Sequence, residues 1–217
     1  TATSIFILLM MSSISFSIAK VAEILHAKSF LPQPNVLITK LLTDSRTVID
    51  AKNSLFFAVK AQRDGHQFIK NAYENGIRNF VISDPAYAEK YPDANFLLVN
   101  NVLIALQQLA SFNRVQNDLK VIGVTGSNGK TIVKEWLYQL LVADFNIVKS
   151  PKSFNSQIGV PLSVWQINPD HDLGIFEAGI SKPNEMEALA QIIKPNVGIL
   201  TNIGEAHAEG FENHVEK

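Results

Sequence analysis

The sequence predicts an α/β protein whose second half is built on a mostly parallel sheet. From Lys120 onward, short apolar runs alternate with segments whose apolar residues recur at helical spacing. Strands that are apolar along their whole length are typical of parallel sheets covered by helices on both faces. In addition, 47% of the 217 residues are hydrophobic and 18% are charged. That composition supplies enough apolar side chains for a packed core.

In the first half of the chain, strand-like and helix-like segments alternate less regularly. We predict that this half forms a separate domain. Ile18, Val21 and Ile24 have the spacing of one helix face, and Ser17 before them is a typical N-cap residue. Strands are predicted in "VLITKLL", "SLFFAV" and "NFVIS", and helices in "GHQFIKNAYENG" and "LIALQQLASFNRV". The polar stretch "QNDLK" then separates this half from the alternating one.

These patterns divide the chain into three parts. We predict an extension or tag-like segment at residues 1–15, a first domain at 16–118 and a second domain at 119–217. The apolar run from Ile5 to Met11 is much shorter than the roughly 20 residues that span a membrane. It also lacks the basic segment that begins a signal peptide. We therefore predict no membrane span and a cytoplasmic location.

Charge and cysteine content exclude two classes of site. The chain has 19 basic and 20 acidic residues, whereas nucleic-acid binders show a marked basic excess. We therefore expect no nucleic-acid partner. Because the chain has no cysteine, disulfides and thiolate metal sites are excluded as well.

The stretch "VIGVTGSNGKTIVKEW" joins a predicted strand to a predicted helix through a loop that contains Gly126 and Gly129. The N–H groups of such a loop converge on one point, where the helix dipole adds partial positive charge and favours a phosphate. Lys130 can reach the terminal phosphates, and the Thr131 hydroxyl can ligate Mg²⁺. The general P-loop pattern has a glycine where this chain has Val124. The strand–loop–helix context still predicts a site for ATP or a similar nucleotide.

Polar residues follow three other predicted strands, at the sheet edge where parallel α/β proteins bind ligands. Glu177 closes "LGIFE", where a carboxylate could hold Mg²⁺ directly or through water. Asn155, Ser156 and Gln157 follow "NIVKS" as candidate polar contacts. His207 follows "VGILTNI", but by itself it is more typical of an ordinary loop or core histidine.

Together these segments resemble the Mur ligase family, the ATP-dependent amino-acid ligases of peptidoglycan synthesis. "TGSNGKT" has the family's form of the P-loop, and "FNSQIGVPLS", "IFEAGIS" and "TNIGEAHAEGF" follow in the family's order. The stretch from "LLTDSRT" to "NFVIS" is similar to the family's N-terminal domain, which grips the uridine end of its substrate. The resemblance implies a substrate domain followed by a P-loop ATPase domain, of which we expect this chain to hold only part.

The resemblance also implies catalytic, nucleotide and metal residues. Lys130 would contact the β- and γ-phosphates, Thr131 and Glu177 would ligate Mg²⁺, and His207 would hold a second Mg²⁺. The catalytic residues it implies are thus Lys130, Glu177 and His207. The nucleotide-binding residues it implies are Gly126, Ser127, Asn128, Gly129, Lys130 and Thr131.

On the substrate side, Asn155 and Ser156 lie where the family contacts the muramoyl-peptide. Thr43, Ser45 and Arg46, in "LLTDSRT", match the family's grip on uridine diphosphate.

Two further positions bear on the family comparison. Asp64, Gly65 and His66 match a second N-terminal signature, whose role is either in binding or in structure. The family's carbamylated lysine falls a few residues beyond Lys217, so we do not assign that role to Lys217.

Within the family, "GSNGKTIVKEW" and "EAGIS" are most similar to the ligases that add D-alanyl-D-alanine to UDP-N-acetylmuramoyl-tripeptide, in the form that Bacteroidetes fuse to an alanine racemase. The implied cofactors are ATP and two Mg²⁺ ions, with pyridoxal phosphate only if a racemase domain follows. Three alternatives stay open: the Mur ligase that adds the third residue, a diamino acid; a folate polyglutamate ligase; and a P-loop ATPase without ligase activity. We expect no turnover from this chain by itself.

Overall fold

The computed structural model of the protein describes residues 15–180 and 185–204 and confirms the α/β fold. Within these residues the strands are β1 (Phe16–Ser17), β2 (Lys28–Phe30), β3 (Leu37–Ile38), β4 (Lys40–Leu42), β5 (Ser54–Phe57), β6 (Asn79–Ile82), β7 (Asn95–Leu98), β8 (Lys120–Thr125), β9 (Ile147–Lys149), β10 (Leu173–Glu177) and β11 (Val197–Leu200). The α-helices are α1 (Ile18–Ile24), α2 (Ile69–Glu74), α3 (Val102–Gln116), α4 (Lys130–Leu141), α5 (Gly159–Val164) and α6 (Glu185–Ile193). His207 and Lys217 lie outside the described residues, as does the predicted extension apart from Ser15.

The first half forms a five-stranded sheet in the order β2–β7–β6–β5–β4. Strand β2 is antiparallel to β7, whereas the other neighbours are parallel. Phe56, Phe80 and Phe96 lie directly opposite one another on β5, β6 and β7. The ring centroids of Phe56 and Phe80 are 6.2 Å apart, and those of Phe80 and Phe96 are 5.1 Å apart. Such cross-strand aromatic pairs fix the register of the central strands.

The prediction of a single strand in "VLITKLL" is wrong. Strand β3 pairs antiparallel with β1, whereas β4 joins the large sheet beside β5. The chain turns at Thr39 between them, because the N–H groups of Thr39 and Lys40 both donate to the carbonyl oxygen of Asn53. The Thr39 carbonyl in turn accepts a hydrogen bond from the Trp165 indole at 3.0 Å.

Other predictions for this half hold in outline. Helix α1 has the predicted Ser17 cap, whose hydroxyl accepts from the Lys20 N–H. The helix predicted in "GHQFIKNAYENG" begins as a 3-10 turn at Gly65–Phe68 before α2, and the chain leaves it through Gly76 at φ 91°. Strands β2 and β7 were not predicted, although β7 is largely buried.

The second half forms a wholly parallel sheet in the order β11–β8–β10–β9. Its central strand β10 is buried at every position. Helix α4 packs on one face, against a cluster that includes Val124 and Ile175. Helices α3, α5 and α6 pack on the other face, against Val121 and Phe176. The predicted parallel sheet with helices on both faces is thus confirmed, and the carboxyl ends of β8, β10 and β11 meet at one edge.

Helix α3 connects the two sheets. Buried residues from Val102 to Leu109 pack in the core of the first half, and Ala110, the next residue, packs in the core of the second. Near its end, the Asn113 amide donates to three carbonyl groups at the end of α5. The buried Arg114 guanidinium donates to the carbonyl oxygens of Ile193 and Lys194 at the end of α6, at 2.9 and 3.1 Å. These bonds satisfy carbonyls that a helix end leaves unpaired.

We expect Arg114→Met to lower the free energy of unfolding by about 3 kcal/mol, because it leaves several buried carbonyl oxygens without a donor. Urea denaturation followed by circular dichroism measures this change. Gln116→Met, at an exposed position on the same helix, is the matched control and should be nearly neutral. Equal stability of the two variants would show that Arg114 does not secure the helix ends.

None of the helices within residues 15–180 and 185–204 is long and apolar enough to cross a membrane.

Candidate active site

The loop from Gly126 to Gly129 joins β8 to α4, as predicted, and both glycines are required. Gly126 has φ 131°, and a side chain there would collide with the Thr201 hydroxyl oxygen. Gly129 is the N-cap of α4 and has the left-handed φ of 80°. L-residues with a side chain rarely adopt these conformations. The two glycines therefore allow the sharp turn that leads from β8 into α4.

Val124 explains the departure from the general P-loop pattern. It lies inside β8 with no exposed surface and packs in the cluster with Leu173 and Ile175. Glycine at this position would remove a buried side chain from the core. The turn itself needs glycine only at positions 126 and 129.

The segment that follows β11 holds the loop in place. The N–H of Ser127 donates to the Asn202 carbonyl, and the N–H of Asn128 donates to the Asn202 side chain, each at 2.9 Å. The Thr201 hydroxyl donates to the Asn128 carbonyl at 2.6 Å. Ser127 and Asn128, predicted to bind nucleotide, thus have their N–H groups bound to Asn202. The N–H groups of the first turn of α4, which have no partner within a helix, are the ones suited to bind phosphate.

The Lys130 ammonium lies across the loop. Its Nζ donates to the Gly126 carbonyl at 2.6 Å and approaches the Ser127 carbonyl at 3.4 Å. A positive charge therefore lies beside the first turn of α4. Lys130 is placed where an anion bound at the helix N-terminus would meet it.

Thr131 and Glu177, which the sequence places 46 residues apart, come together beside the loop. The Thr131 hydroxyl donates to Glu177 Oε2 at 3.1 Å. Glu177 has no exposed surface, and its other oxygen, Oε1, lies 3.0 Å from the ammonium of the buried Lys134. The angle of that ion pair is not that of a hydrogen bond, so Oε1 accepts none within the described residues.

These oxygen atoms fit a magnesium site that also includes ligand phosphates. Mg²⁺ is usually held by one or two carboxylates together with phosphate oxygens and water, rather than by a complete protein cage. No cluster of three or more His, Asp or Glu side chains in residues 15–180 and 185–204 could hold a metal by itself. Glu177 and Thr131 offer a carboxylate and a hydroxyl at one point. The third predicted ligand, His207, lies outside the described residues.

Asn155 and Ser156 lie close to Glu177 along the chain that leaves β9. The Asn155 carbonyl accepts from the Gly179 N–H at 2.8 Å, two residues beyond Glu177. The Ser156 hydroxyl accepts from the N–H of Gly159, the first residue of α5, at 3.1 Å. Asn155 is half-buried and Ser156 exposed. Both residues thus border the edge of the sheet that carries Glu177, and their predicted contact with a peptide remains a prediction.

Thr43, Ser45 and Arg46 line one cleft of about 670 Å³ in the first half. The other residues that line this cleft are Asp44, Arg63, Phe68 and Asn71. Ser45 is buried, and its hydroxyl donates to the Asn71 side chain at 2.7 Å, so it orders the loop. Arg46 is exposed and pairs with Asp44 at 2.6 Å, and this pairing lowers the pKa of Asp44. The cleft therefore carries a guanidinium that its neighbour holds in place.

Arg63 was not predicted as a site residue. It lies directly before the Asp64–Gly65–His66 signature and brings a second guanidinium to the same cleft. Its position next to that signature was the signal in the sequence.

The Asp64–Gly65–His66 signature itself is structural. The buried His66 ring contacts Asp64 Oδ1 through Nδ1 at 2.6 Å and accepts the Ser83 N–H through Nε2 at 3.0 Å. A side chain on Gly65 would come within 2.6 Å of the backbone at Ala58 and Val59. Both ring nitrogens are therefore used within the first half, where they tie its loops together.

A second cleft, of about 600 Å³, runs between the two halves of the chain. It shares Thr43 and Asp44 with the first cleft and reaches Phe154, the neighbour of Asn155. Trp165 and His171 lie on its other side, and burial lowers the pKa of His171. The two clefts together suit an elongated ligand that extends from Arg46 toward Asn155.

The chain is similar in sequence to several known proteins. Residues 124–216 match the model of the Mur ligase middle domain. The chain is also 40% identical, over 178 residues, to the UDP-N-acetylmuramoyl-tripeptide--D-alanyl-D-alanine ligase of Borreliella burgdorferi, covering 78% of this chain and 38% of that protein. The Bacillus subtilis protein of the same name is 32% identical and is matched over 89% of this chain and 42% of its own length. Over the matched residues, the chain is thus similar to Mur ligases.

Solved structures of MurF ligases have a similar fold. The crystal structure of MurF from Acinetobacter baumannii superposes with a TM-score of 0.84 at 28% identity and covers 94% of this chain and 44% of that one. MurF ligase from Thermotoga maritima in complex with ADP has a TM-score of 0.70 at 31% identity, covering 82% of this chain and 40% of that one. The chain thus spans about two fifths of the length of the curated relatives it matches.

Proposed function

We propose that the protein is an ATP-dependent ligase of peptidoglycan precursor synthesis that joins D-alanyl-D-alanine to UDP-N-acetylmuramoyl-tripeptide through an acyl phosphate. One observation carries the proposal: the loop from Gly126 to Gly129 (the phosphate loop) leads into α4, whose Thr131 contacts the buried Glu177 at the carboxyl edge of the parallel sheet. The similarity to ligases of that name supports the choice of substrates. The similarity to a MurF ligase in complex with ADP supports the nucleotide.

The chemistry explains why such a site is needed. A carboxylate does not react with an amine at neutral pH, because oxide would have to leave. Transfer of the γ-phosphoryl group of ATP to a carboxylate oxygen gives an acyl phosphate and ADP. The amine of D-alanyl-D-alanine then attacks the carbonyl carbon and phosphate leaves.

Two anions, the carboxylate and the γ-phosphate, must approach each other in the first step. Lys130 offsets their repulsion with its ammonium, and the first turn of α4 supplies N–H groups to the phosphates. Bound Mg²⁺ would neutralise further phosphate charge, held by Thr131 and Glu177, with a second ion at His207. In phosphoryl transfer, positioning and charge stabilisation of this kind supply most of the catalysis.

The first cleft would bind the uridine diphosphate end of the substrate. Arg46 and Arg63 are both on this cleft, and guanidinium groups pair well with phosphate oxygens. The second cleft would lead the sugar and peptide toward Asn155 and Ser156. We also propose a cytoplasmic location, where nucleotide substrates are made. A fused alanine racemase with pyridoxal phosphate remains a prediction from the resemblance.

Two alternatives make different predictions. The Mur ligase that adds a diamino acid would use the UDP-dipeptide instead of the tripeptide. A regulatory P-loop ATPase would hydrolyse ATP without any ligated product. The two clefts beside Arg46 favour a ligase, because a regulatory ATPase has no need of them.

The direct test uses the full-length protein with Mg-ATP, UDP-N-acetylmuramoyl-tripeptide and D-alanyl-D-alanine, with products identified by mass spectrometry. We expect the pentapeptide product only when the dipeptide is present. A parallel reaction offers a diamino acid with the UDP-dipeptide, and product there alone would move the enzyme one step earlier. ATP hydrolysis without product in either reaction would leave a regulatory ATPase.

We expect Arg46→Ala to raise KM for the UDP substrate about tenfold and to change kcat much less. Loss of a charge-assisted contact to phosphate weakens binding of the substrate and of the transition state equally, so KM rises while kcat changes little. Steady-state kinetics with varied UDP substrate give both constants. Lys70→Ala, on the exposed surface of α2, is the control and should leave KM unchanged. An unchanged KM in Arg46→Ala would count against the uridine side of the proposal.

A further inference from the structure

Lys134 is a buried charge that the proposed mechanism has not used. It lies in α4, one turn after Lys130, and its side chain has no exposed surface. A fully buried lysine is rare unless it is paired, because removal of its charge from water is costly. Its surroundings should therefore show what the charge does.

The Lys134 ammonium is surrounded by four oxygen atoms. Glu177 Oε1 lies at 3.0 Å and Glu135 Oε1 at 3.1 Å. The carbonyl oxygen of Ser150 accepts at 2.9 Å, and that of Lys152 also accepts from the ammonium. The ammonium thus connects α4 to the end of β10 and to the loop after β9.

The charges around Lys134 balance. Glu135 also pairs with Lys149, whose ammonium lies 3.9 Å from the Tyr138 ring. Hydrogen bonds from Lys149 first and then from Lys134 lower the pKa of Glu135 despite its partial burial. Two lysines and two glutamates therefore form a neutral network of which Glu177 is the innermost member.

Thr131 and Lys134 hold opposite oxygens of the same carboxylate. They are three residues apart in α4, so their side chains lie on one face of the helix. Thr131 donates to Oε2, and Lys134 pairs with Oε1. If Oε2 turns from Thr131 to a cation, Lys134 still fixes Oε1 and with it the direction of the carboxylate.

The same network reaches the proposed substrate loop. The Ser150 hydroxyl accepts from the Glu177 N–H at 3.0 Å, and the Ser150 N–H donates to the Ile175 carbonyl. The chain then runs from Lys152 to Asn155, which is bound to Gly179 beyond Glu177. Lys134 therefore lies between the metal-binding carboxylate and the residues proposed to contact the peptide.

We propose that Lys134 is a positioning residue that holds the Glu177 carboxylate in place, with Oε2 aimed at the metal bound with the nucleotide. This inference rests on the proposed nucleotide site. Without Lys134, no other described positive group pairs with Glu177, and a buried carboxylate that has lost its counter-ion does not keep its position. Such a displacement weakens a metal ligand.

The test measures metal binding rather than activity alone. Mn²⁺ is titrated into the full-length protein in the presence of ADP, and free Mn²⁺ is followed by electron paramagnetic resonance. We expect Lys134→Met to raise the Mn²⁺ Kd about tenfold or more, as loss of an outer-shell partner does in metal sites. We also expect kcat to fall and KM for the UDP substrate to stay the same. Thermal unfolding of each variant shows that it is folded at the temperature of the measurement.

Two further variants make the result decisive. Lys149→Met removes the other lysine of the network, which contacts Glu135 but does not pair with Glu177, and should change the Mn²⁺ Kd less than about fivefold. Lys134→Gln keeps donors for the loop carbonyls without the charge, and it serves if Lys134→Met does not fold.

The outcomes separate this inference from the proposed function. If the wild-type protein binds Mn²⁺ with ADP and a folded Lys134 variant binds Mn²⁺ with the same Kd, the proposed role of Lys134 is overturned and the nucleotide site is not. A wild-type protein that binds neither ADP nor Mn²⁺ would overturn the nucleotide site, and the role of Lys134 with it.

Discussion

Lys130→Ala is expected to lower kcat at least about a hundredfold, because the ammonium stabilises charge that develops on the transferred phosphoryl group. Its Nζ lies over the loop beside the first turn of α4 and has no contact with the first cleft. Binding of the UDP substrate should therefore stay nearly intact. Steady-state kinetics and equilibrium binding of the UDP substrate measure the two effects separately.

Lys120→Ala is the matched control for this variant. Lys120 is exposed and begins the same strand β8, at the end opposite the loop. It should keep full activity. A loss of UDP-substrate binding in Lys130→Ala as large as the loss of rate would contradict the assignment of Lys130 to phosphate.

Glu177→Gln is expected to have an effect of similar size on kcat and an additional effect on stability. The amide keeps the shape of the side chain but loses the charge that would bind Mg²⁺. It also breaks one of the two ion pairs of a buried lysine, which we expect to cost about 3 kcal/mol. Kinetics at varied Mg²⁺ concentration measure the effect on kcat, and urea denaturation measures the effect on stability.

Glu135→Gln removes the other carboxylate beside Lys134, at a more exposed position. It should reduce stability less and leave the Mg²⁺ dependence unchanged. If both glutamine variants behaved alike, Glu177 would be one member of an ion-pair network rather than a metal ligand.

The sequence predicted the parts of the fold and site that depend on local patterns. The strand, loop and helix around Gly126 and Gly129 follow from apolar periodicity and glycine placement, and the structure confirms them. The position of Glu177 at the end of an apolar strand was predicted, whereas its complete burial beside Lys134 was not. The second sheet could be predicted because its strands are mostly apolar.

Contacts between distant segments could not be predicted in this way. Asn202 holds the phosphate loop from 74 residues away, and nothing in the local pattern of either segment indicates it. Lys134 looks like any charged residue of an amphipathic helix until β9 and β10 are placed against it. Strand β7 was missed because its short apolar run carries no alternation, and its partners β2 and β6 define it.

The central claim is ligation through an acyl phosphate, and oxygen transfer tests it most directly. The carboxylate to be ligated in UDP-N-acetylmuramoyl-tripeptide is labelled with ¹⁸O, and the phosphate released by the full-length protein is analysed by mass spectrometry. Because the amine displaces phosphate from the carbonyl carbon, phosphate should leave with one oxygen of the carboxylate. The account predicts one ¹⁸O atom in each phosphate formed with product. Phosphate without ¹⁸O would contradict it, because its oxygen would then have come from water.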